Sequence, residues 1–449
     1  MQSLAKSVIA TFGTDKAPDV TALSRIGTHG QQPSNAQRDL LTHIGALKAP
    51  APYEVQAPVV KMVGTSKVIE PEMLSIFLPH DWFAFLAEHN LLDDVLGANH
   101  ISSFWHQVQD DDPKLTLNKC KDVAGWKHKF IPLQFHGDAG PHTKTDSMMV
   151  NSIRSLLTDS SVDTSMLMLG AIPEACRASK RRCKELGLPF EEDTAIVVGK
   201  IWAWSFEALF QGKHPETDPF GNPWLKTSWR AKVAGKMLCP RTHIRGLIWV
   251  VTADCKHLSG EYGLPNHSSA EPCMRCACNK STIPFTDFST TALWRSNIYS
   301  HEYFQMLPLT DHWLSTVSGI SSFSFMYDPM HCLEIGASGH AVANVFFDMV
   351  YKELDGTKPQ KLSHLFQLVQ QAYKDLNITQ CKITKLELQY FSDVKAPWKN
   401  YPDIMHSAIK ARQLRYLVPV AAKLCKDFFK KGDQYSTHRL ACLSNLDQA

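Results

Sequence analysis

Apolar and polar positions change rhythm several times along the chain, and each change marks an element. Residues 1 to about 60 are rich in Ser, Thr, Gln, Pro and Ala and keep no hydrophobic period, which predicts a flexible arm. Met73, Leu74, Phe77, Trp82, Phe85 and Leu86 then give a helical stripe broken at Pro79. With the helical rhythm of Ile101 to Val108, this predicts a small helical domain over 65–125. From Phe130 the pattern turns β-like. Ile131–Phe135, Ser147–Leu157 and Ser165–Ile172 are apolar runs of strand length. Thr194–Phe210 has helical spacing, and Ile244–Ala253 is another buried-strand run. The order strand, strand, strand, helix, strand predicts an α/β core over 130–255 built on an RNase H-like mixed sheet.

Gly260–Thr310 is polar and rich in Cys and Pro, so 256–325 reads as an irregular insertion too poor in apolar residues to bury a core of its own. Beyond it, 326–449 reads as a helical region. Val342, Val345, Phe346, Met349 and Val350 follow the 3.6-residue period, as do Leu365, Val369, Ala372, Tyr373 and Leu376. A further helix is expected from Ile409 to Phe429.

Composition narrows the class. The chain has 449 residues, 44% hydrophobic and 20% charged, with a formal net charge of +3. Contact with nucleic acid would have to come from local basic patches, since the whole is close to neutral. Three such patches are Lys119–Lys129 with Trp126, Arg177–Lys184 and Trp229–Arg245. The longest apolar runs are strand-length and the N-terminus lacks a signal-peptide pattern, so no membrane span is expected and a nuclear or cytoplasmic location is. Nine of the 12 cysteines are scattered, which suits a reducing compartment, while Cys273, Cys276 and Cys278 stand together as a cluster that a metal would hold.

Candidate chemistry starts from two acids. Asp138 follows an apolar strand within His136-Gly137-Asp138-Ala139-Gly140, and Asp254 ends the strand Gly246–Ala253. Each alone reads as a turn acid. Together, at the ends of strands in one core, they offer the hard oxygen ligands that a pair of Mg²⁺ or Mn²⁺ ions needs for phosphoryl transfer. The Cys273-x-x-Cys276 knuckle is half of a tetrahedral zinc site, with His257, His267, Cys278 or distant histidines open as completing ligands. Asp328-Pro329-Met330-His331 sets an acid and a histidine three apart ahead of a helix; a capping Asp and a partly buried His account for that spacing.

These blocks, in this order, resemble the CACTA (En/Spm-type) transposases. Trp249-Val250-Val251-Thr252-Ala253-Asp254 is followed by Glu261-Tyr262-Gly263-Leu264-Pro265 and Pro272-Cys273-Met274-Arg275-Cys276. Tyr327–Val350 is similar to the family's Asp-x-Met-His block and its Asn-Val-Phe helix, here Asn344-Val345-Phe346. Leu417-Val418-Pro419-Val420-Ala421 is similar to a downstream Leu-Leu-Pro-Val-Ala stretch. Asp138 departs from the pattern, because the family usually shows Asp-Gly there. The likeness spans 130–425 and implies a metal-dependent nuclease and strand-transfer core with Asp138 and Asp254 as the first two acids of an Asp-Asp-Glu triad. It also implies a zinc-binding insertion on Cys273 and Cys276, with His331 as a further zinc ligand.

In that family the Glu lies on a helix after the Leu-Pro-Val-Ala block, yet the residues after Ala421 contain no Glu. The expectation is therefore a transposase-derived DNA-binding protein whose third acid lies beyond this sequence, inactive as it stands. Glu334 and Glu353 are the acids nearest to substitutes. DNA is the expected partner, with self-association a second expectation and no small-molecule substrate. The rival is a non-catalytic, zinc-stapled DNA- or protein-binding module on the same fold. A small-molecule hydrolase is disfavoured because no Gly-x-Ser-x-Gly, phosphate loop or His-Glu-x-x-His occurs.

Overall fold

The computed structural model describes residues 49–449 except 142, 144–145, 159–164, 267, 301–311, 406, 430–431 and 449. The chain divides into Met1–Tyr53 and Glu54–Ala449, and the second unit holds every element named below apart from the first residue of β1. Most of the expected arm, 1–48, lies outside the described residues, as does His267.

The first ordered element corrects two expectations. Tyr53–Val63 (β1) and Ser66–Ile76 (β2) form a two-stranded hairpin, so strand begins inside the expected arm and occupies the start of the expected helical domain. In β1 the inward positions Val55, Ala57 and Val59 alternate with polar ones, the period of a half-buried strand. Gly64 makes the turn at φ 61°. Pro79 does not divide a helix. It starts α1 (Pro79–Glu88) at the first turn, where its missing N–H would have no intrahelical partner. The helical reading holds for α1 and α2 (Ile101–Gln107).

The core is a mixed five-stranded sheet with flanking helices. Its strands are β3 (Phe130–Pro141), β4 (Ser147–Ser155), β5 (Met166–Pro173), β6 (Arg245–Ala253) and β7 (Phe325–Tyr327), in spatial order β5-β4-β3-β6-β7. β4 runs antiparallel to both neighbours, while β3, β6 and β7 run parallel. The β3-to-β6 crossover contains α3 (Lys180–Leu186), α4 (Thr194–Gln211) and α5 (Trp229–Val233).

β6 is buried from Gly246 to Ala253 because it is central and covered on both faces. Phe206 of α4 and Trp313 pack on Phe135, with ring centroids 6.2 and 5.5 Å away. Trp105 of α2 packs edge-on against Trp249 at 5.0 Å and donates its indole N–H to the Phe130 carbonyl at 2.7 Å. Gly199 in α4 is required by this packing: a Cβ there would sit 2.1 Å from the Trp313 ring.

The insertion also ends earlier than its expected limit of 325. Trp313 and Leu314 are buried, and β7 completes the sheet. A short helix, α6 (Cys255–Gly260), leaves β6 directly. After β7 the chain is helical from Met330 to Glu353, with π-helical turns at Met330–Ala337 and Met349–Glu353 around α7 (Ser338–Asp348). α8 (Lys358–Asp375), α9 (Ala411–Phe428) and α10 (Gln434–Gln448) pack with α7 around a second apolar cluster. The expected stripes of Val342 to Val350 and Leu365 to Tyr373 face into it. No helix of the described residues is long and apolar enough to cross a membrane.

Candidate functional site

β3 and β6 are parallel neighbours, and the register between them decides where the two acids stand. Pairing starts with Phe130 opposite Arg245 and shifts by one residue between Leu133 and Gln134, after which His136 lies opposite Thr252. Two residues further on, this register brings Asp138 level with Asp254. Without the shift Asp138 would be level with Ala253, so the irregularity re-aims a side chain as β-bulges do. His136 Nδ1 lies 3.2 Å from Thr252 Oγ1, so the two strands' side chains meet across this face just before the acids.

Both acids are half-buried. Asp138 accepts the Ala139 N–H at 2.7 Å. Asp254 is the N-cap of α6 and accepts the His257 N–H. Burial lowers the pKa of the His257 imidazole, opposed by the charges of Glu261, Asp254 and Asp138, so one ring feels both acids. A side chain at Gly137 would collide with this ring: its Cβ would stand 2.7 Å from His257 Nε2 and 2.9 Å from the Tyr262 hydroxyl. Gly137→Ala is therefore expected to lower stability by about 1–3 kcal/mol through overpacking. Denaturant unfolding measures this, and an unchanged midpoint would refute the close packing.

Behind His257 lies a buried charged group. Arg177 is only 6% exposed. It donates from Nε and Nη2 to Asp193 at 2.8 and 2.7 Å and from Nη2 to Glu261 at 2.6 Å. Burial pushes the Glu261 carboxyl up, but its bond to Arg177 and that residue's charge outweigh this and hold it below its usual range. Burial takes His312 down to about 4. The Tyr262 hydroxyl has no hydrogen-bond partner among the described residues, and its ring stands edge-on to those of His257 and His312, at 5.2 and 5.0 Å.

The same register logic brings in a residue that spacing alone left as a cap. β6 and β7 pair in parallel up to Ala253 opposite Tyr327, so the next residues along are Asp254 and Asp328. Asp328 accepts the Met330 N–H at 3.0 Å, and its Oδ2 lies 2.6 Å from His331 Nδ1. Asp138, three residues before the end of β3, and Asp254 and Asp328, just after β6 and β7, thus stand in line across three adjacent parallel strands, whereas the sequence expectation had Asp138 after its strand. Glu334 pairs with Arg415 at 3.6 Å, and Glu353 is exposed at the far end of the helix, roughly 25 Å further along by helical rise.

In the Cys-rich segment, Cys273, Cys276 and Cys278 bring their sulfurs within 4.8 Å of one another. His331 is not part of that group, so among the described residues it is Cys278 that joins the pair. Burial pushes the Cys276 thiol up to about 12, and a thiolate there calls for a neighbouring cation. Three sulfur donors suit zinc. Arg275, between them, donates to the Phe323 and Phe325 carbonyls at 3.0 and 2.7 Å and ties the knuckle to β7.

The basic patches fare unevenly. Arg177 is engaged by acids, and Arg230 is bonded to Asp81. Neither guanidinium faces solvent as a phosphate contact requires. Trp126 packs on Trp105 at 5.1 Å, which places it against the fold. Exposed cations remain in all three patches, among them Lys119 and Lys121, Arg181 and Lys184, and Lys232 and Arg241. The chain matches no protein-family model and no curated protein.

Proposed function

We propose that the chain is a transposase-derived, DNA-binding protein with an RNase H-like core that holds divalent metal on Asp138 and Asp254. The observation that carries this reading is the sheet. Its order is third, second, first, fourth, fifth strand, its second strand alone is antiparallel, and an acid near the end of the first strand is level with the acid just after the fourth. That is the arrangement the RNase H-like class uses to bring together carboxylates 116 positions apart in sequence. Carboxylate oxygens fit Mg²⁺ or Mn²⁺, which when bound activate the attacking oxygen and stabilise the leaving one. The chain's own part is to fix the two carboxylates on neighbouring strands, one near the end of β3 and one just after β6. Asp328, level with Asp254, is the described acid best placed to serve as a third ligand, the role that the family resemblance gives to a later Glu. Cys273, Cys276 and Cys278 would hold structural zinc.

The cysteine cluster equally suits the second reading, a zinc-stapled DNA-binding module without catalysis, because it requires no acid. Duplex DNA binding and Mn²⁺-dependent nicking of supercoiled plasmid separate the two. Nicking by the native chain that disappears in Asp138→Ala, Asp254→Ala and Asp328→Ala, with DNA binding retained, identifies a nuclease. DNA binding that is indifferent to those substitutions, with no nicking, identifies the module. A chain that binds no DNA would sink both.

A further inference from the structure

A second set of metal-binding side chains lies away from the acid row, among α1, α4 and α5. We propose that His80, Asp81 and His214 form a structural site for a divalent transition-metal ion such as zinc. One ligand atom from each lies within 4.8 Å of the other two. His80 is fully buried, and Asp81 and His214 are 4% and 9% exposed. Two imidazoles and a carboxylate are a donor set that zinc accepts.

The second observation is the state of His80. Its Nδ1 lies 2.7 Å from Ser205 Oγ, and that hydroxyl oxygen also accepts the His80 backbone N–H at 3.2 Å. The ring is thereby fixed with Nε2 directed at the cluster. Nε2 has no hydrogen-bond partner among the described residues, although Asp81 Oδ1 is 3.3 Å away. Carrying a proton, Nε2 lacks an acceptor in line. Without one, its lone pair faces a carboxylate. A cation between them resolves the second case, and an outer hydrogen bond on the opposite ring nitrogen is what orients metal-binding histidines.

Arg230 is the obvious objection, since it already neutralises Asp81. Its Nη2 donates to Asp81 Oδ2 at 2.6 Å, whereas its Nη1 is 3.3 Å from Oδ1. The tight bond takes Oδ2, and Oδ1, on the histidine side, accepts only the longer bond from Nη1. The guanidinium also lies over the Trp229 and Trp224 rings, at 4.5 and 5.5 Å, whose faces offset its charge. The backbone holds His214 in place, its N–H donating to the Lys236 carbonyl at 2.8 Å and its carbonyl accepting from Gly235 at 3.0 Å. An ion here would tie the start of α1 to the loop after α4. Burial of all three ligands points to a structural role, not a substrate-binding one.

The test is a Co²⁺ titration of the full chain, stripped of metal under reducing conditions, with excess Mg²⁺ present to occupy all-oxygen sites. Two equivalents should bind. One should show thiolate charge-transfer absorption from the cysteine cluster, and the other only ligand-field bands with no sulfur signature. His214→Gln, and independently Asp81→Asn, should abolish the second equivalent and leave the first. A native chain that binds Co²⁺ with thiolate absorption alone overturns the proposal, as does a folded variant that keeps both equivalents. Should neither variant fold, X-ray absorption of the second cobalt in the native chain decides: imidazole nitrogens support the site, and an oxygen-only shell overturns it.

Discussion

Replacing Arg177 with methionine is expected to destabilise the protein by about 3–5 kcal/mol near neutral pH, the range for breaking a buried ion pair from one side. Methionine keeps much of the side-chain volume, so the loss is electrostatic. It would strand Asp193 and Glu261, whose oxygens the guanidinium bonds at 2.6–2.8 Å. Asp193 also caps α4 by accepting the Ala195 N–H at 2.8 Å, so that helix start should loosen as well.

The effect has a pH signature. Glu261 is held below its ordinary 4.5 in the folded state, so its contribution is present above that value and is lost as pH falls through the depressed one. The native chain's advantage over Arg177→Met should therefore narrow in acid. His312 acts in both chains. With a folded pKa near 4 against 6.5 unfolded, it makes each less stable as pH drops from about 6.5 toward 4. Urea unfolding at pH 7.5, 5.5 and 4 measures all of this, and a difference that stays constant with pH would show that Arg177 does not hold Glu261.

The second large effect is expected at the cysteine cluster. Protein purified under reducing conditions should carry zinc there, and Cys273→Ser/Cys276→Ser should lose that equivalent. At free zinc a thousandfold above its dissociation constant, the bound ion contributes about 4 kcal/mol. The segment from Glu261 to Tyr299 is mostly turns and bends and has few buried apolar side chains besides Tyr262, Leu264 and Met274. In the double variant this segment should become the first site of limited proteolysis, with β3–β6 still protected. Equal protease resistance with and without chelator would refute a structural metal on these thiols.

The parts of the fold legible in the sequence were those where one physical signal dominates. β3 through β6 and α4 are runs of apolar residues buried on two faces or one, and each starts within about one residue of its run, though β3 continues past Phe135 to Pro141. The β1–β2 hairpin was not legible, because Pro58, Pro71 and the polar alternation around them resemble a linker until the partner strand is known. β7 was too short to register. Among candidate site residues, Asp254 stands where the sequence reading puts it, at the end of its strand, while Asp138 lies inside β3, which continues to Pro141. Whether they face each other turned on a one-residue register shift that no periodicity encodes. Asp328 looked like a cap, and it is one, since it accepts the Met330 N–H. Its place in line with the others depends on β7 pairing with β6. His80, Asp81 and His214 carry no spacing signal, because 133 positions separate the last two.

The parallel pairing of β3 with β6 also bears on when the protein acquires its acid pair. An adjacent hairpin such as β3–β4 can close early, within microseconds in isolated systems. β3 and β6 cannot meet until the whole crossover, with α3, α4 and α5, has been made and laid across the sheet. Such long-range pairing is slow, because the loop-closure entropy is spent before the contacts that reward it exist. During synthesis, Asp138 therefore leaves the ribosome well ahead of its partner and spends that interval as an isolated acid beside a growing antiparallel ribbon. Assembly of the pair becomes one of the last events in folding of the sheet, so metal held between the two acids would report completed folding.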